Sequence, residues 1–353
     1  MKFIHIADVH LGAQPEGVSI GKKERGKEIW SALEEIVHIC QLKEVDLLLI
    51  AGDLFHRQPL LRELKELNFL FSQMKKTKVV WIAGNHDYAK PDSYYHTFAW
   101  NKNVYPLLDD QMQYVEFPEL KTAVYGFSYH RKEITERLYD RAFAEGRQKY
   151  EILLAHGGDE SHIPIKREVL SNLGYDYVAL GHIHKQQTLV ENQVVFAGAL
   201  EPMDKNDTGK HGYVEGEITE KGTVARFVPN AKREYLHLPI MVNETMTNGE
   251  LREIIRESIQ KYGMQNIYKF ILKGFRDGDI VFETDTEKYF GNVLEIVDET
   301  KPFYDFETLL EKNRGNLLGR YIESLQDCEI GSVEHLALYE GVQALLSTKG
   351  TIL

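Results

Sequence analysis

The chain is 353 residues long, 43% hydrophobic, and carries a net charge of −12. Length and apolar content suit a soluble globular protein with one large domain and a smaller one, and the acidic balance excludes a generally basic nucleic-acid-binding surface but not a local one. No apolar stretch approaches a bilayer span and the start, Met1-Lys2-Phe3-Ile4-His5, lacks a signal-peptide cleavage pattern, so the expectation is a cytoplasmic protein with no membrane association.

Short aliphatic or β-branched runs bounded by Gly or polar residues predict buried strands at Phe3–Ile6, Val45–Ile50, Val79–Ile82, Ile152–Ala155 and Tyr177–Leu180. Between the first three, helical spacing predicts a helix over Lys27–Leu42 (Ile29, Leu33, Ile36, Val37, Cys40) and another over Leu61–Lys75 (Leu64, Leu67, Phe71, Met74). Alternating segments follow His184 at 188–190, 194–196, 212–218 and 223–228, with Glu220-Lys221-Gly222 as a turn, and suggest a second sheet stacked on the first. The expected class is α/β, a two-sheet β-sandwich flanked by helices over residues 1–230. The pattern restarts with a strand at Tyr235–Val242, a helix at Asn248–Tyr262, a strand at Ile267–Leu272 and an ambiguous 286–297, a small α/β module over 235–300. Two amphipathic stretches, Phe306–Leu325 and Val333–Leu346, make a helical tail over 301–353. Cys40 and Cys328 lie far apart in helix-like segments without Cys-x-x-Cys spacing and read as packing residues.

Polar side chains of one kind sit just past the predicted strand ends: Asp8-Val9-His10, Gly52-Asp53, Gly84-Asn85-His86-Asp87, His156 and Gly181-His182-Ile183-His184. In open α/β architectures that sheet edge is where sites are built, because loops from several strands converge there on a rigid base. Each fragment alone is weak, since a single buried His is usually a hydrogen-bonded core residue. Gly-Asn-His-Asp is more specific, with about 0.002 chance occurrences expected from this composition. So many donors at separate strand ends would crowd together, and their carboxylates would need compensating charge. Seven of them suit two metal ions sharing one bridging carboxylate. Lys22, Lys23 and Arg25, one loop beyond the first motif, are candidate phosphate contacts, against the plain alternative of a solvated helix face. His162, among other histidines, has no partner at a telling spacing.

With these motifs the chain resembles the calcineurin-like metallophosphoesterases, whose signature Asp-x-His, Gly-Asp, Gly-Asn-His-[Asp/Glu], His and Gly-His-x-His is present in order. The resemblance implies one metal held by Asp8, His10, Asp53 and His184, the other by Asp53, Asn85, His156 and His182, and His86 as a catalytic acid. Gly52-Asp53-Leu54-Phe55-His56 and Ile6-Ala7-Asp8-Val9-His10-Leu11-Gly12 are similar to double-strand-break repair nucleases of the SbcD type, although Ala197-Gly198-Ala199 stands where the family commonly has Pro-Gly-Ser. That branch implies a manganese-dependent, dimeric DNA nuclease, acting as duplex exonuclease and single-strand endonuclease, with a cap domain at 235–300 and an SMC-like coiled-coil ATPase as partner. His56 would then contact the phosphate or position His86, or else hydrogen-bond to a ligand.

Two divalent ions about 3.5–4 Å apart can activate a bridging hydroxide and clamp a phosphodiester for in-line attack. The nitrogen and oxygen donors suit manganese, iron or zinc, so the choice of Mn2+ follows from the resemblance. The same donors would serve a small-nucleotide phosphodiesterase or phosphatase, which should show an enclosed pocket and not an open basic trough. A non-catalytic scaffold would have no need of His86. The helix at Leu61–Lys75 and the aromatic segment Tyr88–Trp100 are the expected homodimer face, and the tail from Phe306 either docks the ATPase or packs on the cap.

Overall fold

The computed structural model describes residues 1–15 and 22–349. The chain divides into two compact units, one of residues 1–237, 258–269 and 290–294, the other of 238–257, 270–289 and the described chain from 295.

The first unit runs β1 (Lys2–Ile6), α1 (Lys22–Leu42), β2 (Leu47–Ala51), α2 (Leu61–Ser72), β3 (Lys78–Ile82), a single turn α3 (Tyr94–Thr97), β4 (Val104–Pro106), β5 (Gln113–Phe117), β6 (Thr122–Gly126), β7 (Tyr150–His156), α4 (Arg167–Leu170), β8 (Tyr177–Gly181), β9 (Gln187–Val190), β10 (Val194–Phe196), β11 (Gly212–Thr219) and β12 (Gly222–Pro229). Two six-stranded sheets result, of order β12-β11-β1-β2-β3-β4 and β5-β6-β7-β8-β10-β9. In each sheet the central strands are parallel and antiparallel strands close an edge.

Alternation along the strands builds the layers. Ile4, Ile6, Leu48, Ile50, Val79 and Trp81 point to α1 and α2, where they meet Ile29, Leu33, Leu64 and Phe71. Their neighbours Phe3, Leu47, Leu49, Val80 and Ile82 point the other way and pack on Val124, Ile152, Leu154 and Tyr177 of the second sheet. Strands buried on both faces read as continuous apolar runs, which is why they were legible in the sequence.

The sequence and the structure differ over the later strands. β9 and β10 join the second sheet, but β11 and β12 extend the first, because β11 pairs antiparallel with β1 in the register Lys2↔Glu217 to His5↔Val214. The second sheet is instead founded on β5, β6 and β7. Helix α1 begins at Lys22, before the expected Lys27, so the basic run forms its first turns.

The remaining strands β13 (Tyr235–Val242), β14 (Ile267–Arg276), β15 (Val293–Asp298) and β16 (Lys301–Pro302) form a four-stranded sheet of order β13-β14-β15 with β16 on β14, and α5 (Asn248–Tyr262) lies between β13 and β14 in sequence. In the second unit α6 (Phe306–Asn313), α7 (Leu317–Leu325) and α8 (Val333–Lys349) share a core of Leu318, Ile322, Leu338 and Val342. This helical tail is anchored to its own sheet: the Tyr339 hydroxyl donates to the Pro302 carbonyl at 2.6 Å, and its ring meets Phe275 and Tyr304.

Candidate metal centre

Five parallel strands deliver the candidate donors at their C-terminal ends. Asp8 and His10 follow β1, Asp53 follows β2, Asn85 and His86 follow β3, His156 ends β7, and His182 and His184 follow β8. The two sheet edges meet there, since the main-chain N–H of His182 donates to both carboxylate oxygens of Asp8, at 3.0 and 2.9 Å. Asp8, His10, Asp53, Asn85 and His156 are buried, whereas His182 and His184 are partly open.

The backbone is bent to present them. Asp8 (φ 50°), His10 (53°), Asp53 (49°) and His182 (98°) occupy the left-handed region, which non-glycine residues adopt at a cost of about 1–3 kcal/mol each. Hydrogen bonds from Asp8 N to Gly52 O and from His10 N to Asp53 O, at 3.1 and 3.0 Å, hold the first two turns in place. Two motif glycines are required by close approach. A Cβ on Gly84 would collide with Asp53, and one on Gly181 with the Ala51 carbonyl.

All seven candidate donors converge. His10 Nε2 is 3.1 Å from His184 Nε2 and 3.8 Å from Asp53 Oδ2. His156 Nε2 is 3.5 Å from Asp53 Oδ2 and 3.0 Å from Asn85 Oδ1, and His182 Nδ1 is 3.1 Å from the same Asn85 oxygen. Potential ligand atoms of Asp8, His10 and His184 lie within 4.8 Å of one another, as do those of Asp8, Asp53 and His156. Asp8 is common to both groups, and Asp53 Oδ2, 3.8 Å from His10 and 3.5 Å from His156, stands between their imidazoles.

This donor set fits a cation. His156 Nδ1 donates to the Ala51 carbonyl at 2.8 Å, so in a neutral ring Nε2 is a lone pair facing the Asp53 carboxylate and the Asn85 oxygen. Three acceptors turned toward each other in a buried site need a proton or a metal ion between them. Without a metal the proton takes that place: burial opposes the charge on His156, but Asp53 overrides it and raises the imidazole to about 9. Asp53 is correspondingly held well below the usual carboxylate range, the neighbouring imidazoles of His156 and His10 overcoming its burial. Burial lifts Asp8 to about 6 and depresses His10, and burial together with the charge of His156 takes His182 down to about 4.

His86 and His56 lie over the His10 side of the group. His86 Nδ1 donates to the His56 carbonyl at 3.2 Å, Nε2 has no hydrogen-bond partner among the described residues, and the ring stacks on His56 at 5.0 Å. His56 is exposed, with Nδ1 3.4 Å from His10 Nδ1, and burial and then the charge of His86 lower its pKa. The His86 ring is bonded to His56, and Asp87 is engaged elsewhere. Its carboxylate accepts from Gly84 N, Phe55 N and the Tyr95 hydroxyl, at 2.8, 3.1 and 2.8 Å, and so staples the loop that carries Asn85 and His86.

Of the basic residues expected to meet phosphate, Lys23 is exposed and the Lys22 side chain lies outside the described residues. Arg25 is a correction. It is completely buried, its guanidinium pairs with Glu28 and donates to the Pro202 carbonyl at 3.0 Å, and the Glu201 carboxylate is 3.8 Å away. A side chain committed in this way cannot reach a ligand in solvent.

Sequence reasoning missed two carboxylates behind the donors. Asp207 Oδ2 is 2.9 Å from His184 Nδ1, and this outweighs burial to raise the imidazole to about 9. Asp159 Oδ2 is 2.7 Å from His182 Nε2. Asp159 follows His156 by three residues, a proximity that could have flagged it; no spacing connects Asp207 to His184.

The sequence profile of the calcineurin-like phosphoesterase family matches residues 1–186, and the chain belongs to that family. The members of that family are phosphoesterases that work with divalent metals. Among the relatives of this chain, the uncharacterized metallophosphoesterase YhaO of Bacillus subtilis is 29% identical over 239 residues, 62% of this chain and 58% of that protein. The DNA double-strand break repair protein Mre11 of Methanocaldococcus jannaschii is 27% identical over 219 residues, 59% and 58% of the two chains. A subunit of the nuclease SbcCD from Staphylococcus saprophyticus is 21% identical over 389 residues, 97% of this chain and 100% of that one. The chain covers less than two thirds of the length of the first two.

Proposed function

We propose that the protein is a dinuclear, manganese-dependent DNA nuclease that hydrolyses phosphodiesters as a duplex exonuclease and single-strand endonuclease in double-strand-break repair. The nuclease reading is supported by similarity along nearly the whole chain to a nuclease subunit, together with the repair protein's likeness over 59% of the chain. The observation that carries the chemistry is the position of His86, beside a cation-seeking donor group and with Nε2 lacking a hydrogen-bond partner among the described residues.

Asp8, His10 and His184 would hold one ion, Asn85, His156 and His182 the other, and Asp53 would bridge them. When bound, the ions supply nucleophile activation and neutralise charge developing on the phosphate. The chain's own part is orientation and proton delivery. With Nδ1–H donated to the His56 carbonyl, Nε2 is the atom from which His86, in its imidazolium form, would deliver a proton to the leaving 3′ oxygen; such an acid is typically worth 10²–10⁴-fold in rate. His56, stacked on His86 and facing His10, positions both rings and is open enough to meet a phosphate. Lys23 is the remaining candidate for a backbone phosphate contact.

Assembly follows the same reading. The homodimer face would use α2, where Leu61 and Phe69 are exposed, and Tyr94, since Tyr95, Phe98 and Trp100 of the aromatic segment turn inward onto the core. An SMC-like coiled-coil ATPase would dock on the tail, where Leu317, Val333 and Leu336 are exposed. Among the described residues no helix is long and apolar enough to cross a membrane.

The test is incubation of metal-stripped protein with end-labelled duplex and with circular single-stranded DNA, adding manganese, magnesium or EDTA. Manganese-dependent cutting of both DNAs supports the reading. Inert DNA with turnover of a small phosphodiester would replace it with a nucleotide phosphodiesterase.

A further inference from the structure

The two histidines of Gly181-His182-Ile183-His184 present opposite nitrogens to the centre. His184 turns Nε2 inward, toward His10, and His182 turns Nδ1 inward, toward Asn85. A free imidazole can rotate and exchange its proton between the two nitrogens, so something must fix each ring in its own state. Behind each ring stands one carboxylate, Asp207 at 2.9 Å from His184 Nδ1 and Asp159 at 2.7 Å from His182 Nε2.

Both carboxylates are themselves held. Asp207 Oδ2 accepts from Met203 N at 2.9 Å, and His211 contacts the Asp207 carbonyl at 3.1 Å. Asp159 Oδ1 accepts from the N–H groups of Ser161 and His162, at 2.8 and 3.0 Å, and both its oxygens are 2.9 Å from His162 Nδ1. The turn that returns Asp159 to His182 starts at Gly157, with φ near +141°, where a Cβ would strike the carbonyls of His162 and Ile163. A support built into a glycine-dependent turn is more than a passing surface contact.

Asp159, His162 and His182 could also be grouped as a separate cation site. Donor matching argues otherwise. A carboxylate between two imidazole N–H groups is satisfied as it stands, whereas the central group turns acceptors toward acceptors.

We propose that Asp159 and Asp207 are positioning residues, each fixing the tautomer and ring plane of one histidine, so that Asp159 governs the ion held with Asn85 and His156 and Asp207 governs the ion held with Asp8 and His10. The proposal rests on the two-ion reading of the centre. Loss of such an outer carboxylate typically lowers metal affinity 10–100-fold.

The experiment is calorimetric titration of metal-stripped full-length protein with manganese chloride, with electron paramagnetic resonance at one and two equivalents, for wild type, Asp159→Asn, Asp159→Ala and Asp207→Asn. Wild type should bind two ions with the signal of a coupled pair. Asp159→Asn should bind one ion as wild type does and the second about 10–100-fold more weakly, with a mononuclear signal at one equivalent; Asp207→Asn should do the same at the other position. Asp159→Ala should be weaker still, because Asn keeps an acceptor for the ring N–H. The near-isosteric Asn variant keeps the test meaningful if Ala fails to fold. Two wild-type-strength sites in both Asp159 variants and in Asp207→Asn would overturn the proposal alone. A wild type that takes up no manganese would overturn the two-ion reading beneath it.

Discussion

The main-chain N–H of His86 donates to Oδ1 of Asp53 at 2.9 Å, tying the loop that bears the candidate acid to the carboxylate standing between the His10 and His156 imidazoles. Because that tie is made by the backbone, removing the imidazole leaves it intact. His86→Ala should therefore lower DNA cleavage by about 10²–10⁴-fold while manganese affinity stays at the wild-type value. Single-turnover cleavage and metal titration on one preparation check this, and a parallel loss of metal would show His86 to be a ligand.

Gly84→Ala tests the crowding around the same carboxylate. Its Cβ would press on Asp53 and His156, neither of which can yield, since each is fixed by the backbone around it. Overpacking of this kind costs about 1–3 kcal/mol and should distort the centre enough to weaken manganese binding in proportion. Gly278→Ala, with nothing within 4 Å of its Cβ, is the control and should shift stability by under about 0.5 kcal/mol. Denaturant titration of both variants, without metal, measures the difference.

Arg25 and Lys23 should separate sharply. Removing one member of a buried ion-pair network is strongly destabilising: Glu28 would keep Arg233, but the buried Glu201 would lose the guanidinium 3.8 Å away, so Arg25→Ala should cost about 3–5 kcal/mol. Lys23→Ala should leave stability unchanged and flatten the salt dependence of DNA binding by about one counterion. Equal stability of the two variants in urea would contradict the burial of Arg25.

His5 predicts a pH dependence outside the donor group. It is fully buried in β1 beside the Tyr177 hydroxyl, and burial lowers its pKa from 6.5 to about 3. The unfolded chain then takes up the proton first, so this contribution is fully present above pH 6.5 and is lost progressively as pH falls toward 3. By pH 5 the loss is about 2 kcal/mol. His5→Phe should lose that much less than wild type between pH 8 and pH 5 in EDTA-containing urea titrations; identical slopes would assign the acid sensitivity elsewhere.

How much could be read from the sequence depended on how local each feature is. Leu47–Ala51, buried at every position, is a run that only a central strand explains, and Asp53 just beyond it was placed by that fact alone. The pairing of β11 with β1 was not legible, because a hairpin such as β11–β12 looks the same whichever sheet it joins. The short β4 and half-polar β5 carry too little pattern to detect. Arg25 was misjudged because a basic run is normally solvated, and the groups that bury it, Glu201 and Pro202, come from a segment distant in sequence. Asp159 and Asp207 lie in loops, where nothing periodic links a side chain to the ring it supports.

The partnership of β1 with β11 also bears on how the protein is made. On the ribosome β1 emerges long before its neighbour, which lies more than two hundred residues further on, Met1 itself donating to Ile218. At about 5–20 residues per second, that is some ten seconds or more of synthesis during which one edge of β1 is bare. The centre, with donors from Asp8 to His184, cannot close much sooner. The growing chain is thus a poor metal binder and an exposed strand edge throughout that wait, which makes this interval the one in which chaperones have the most to protect.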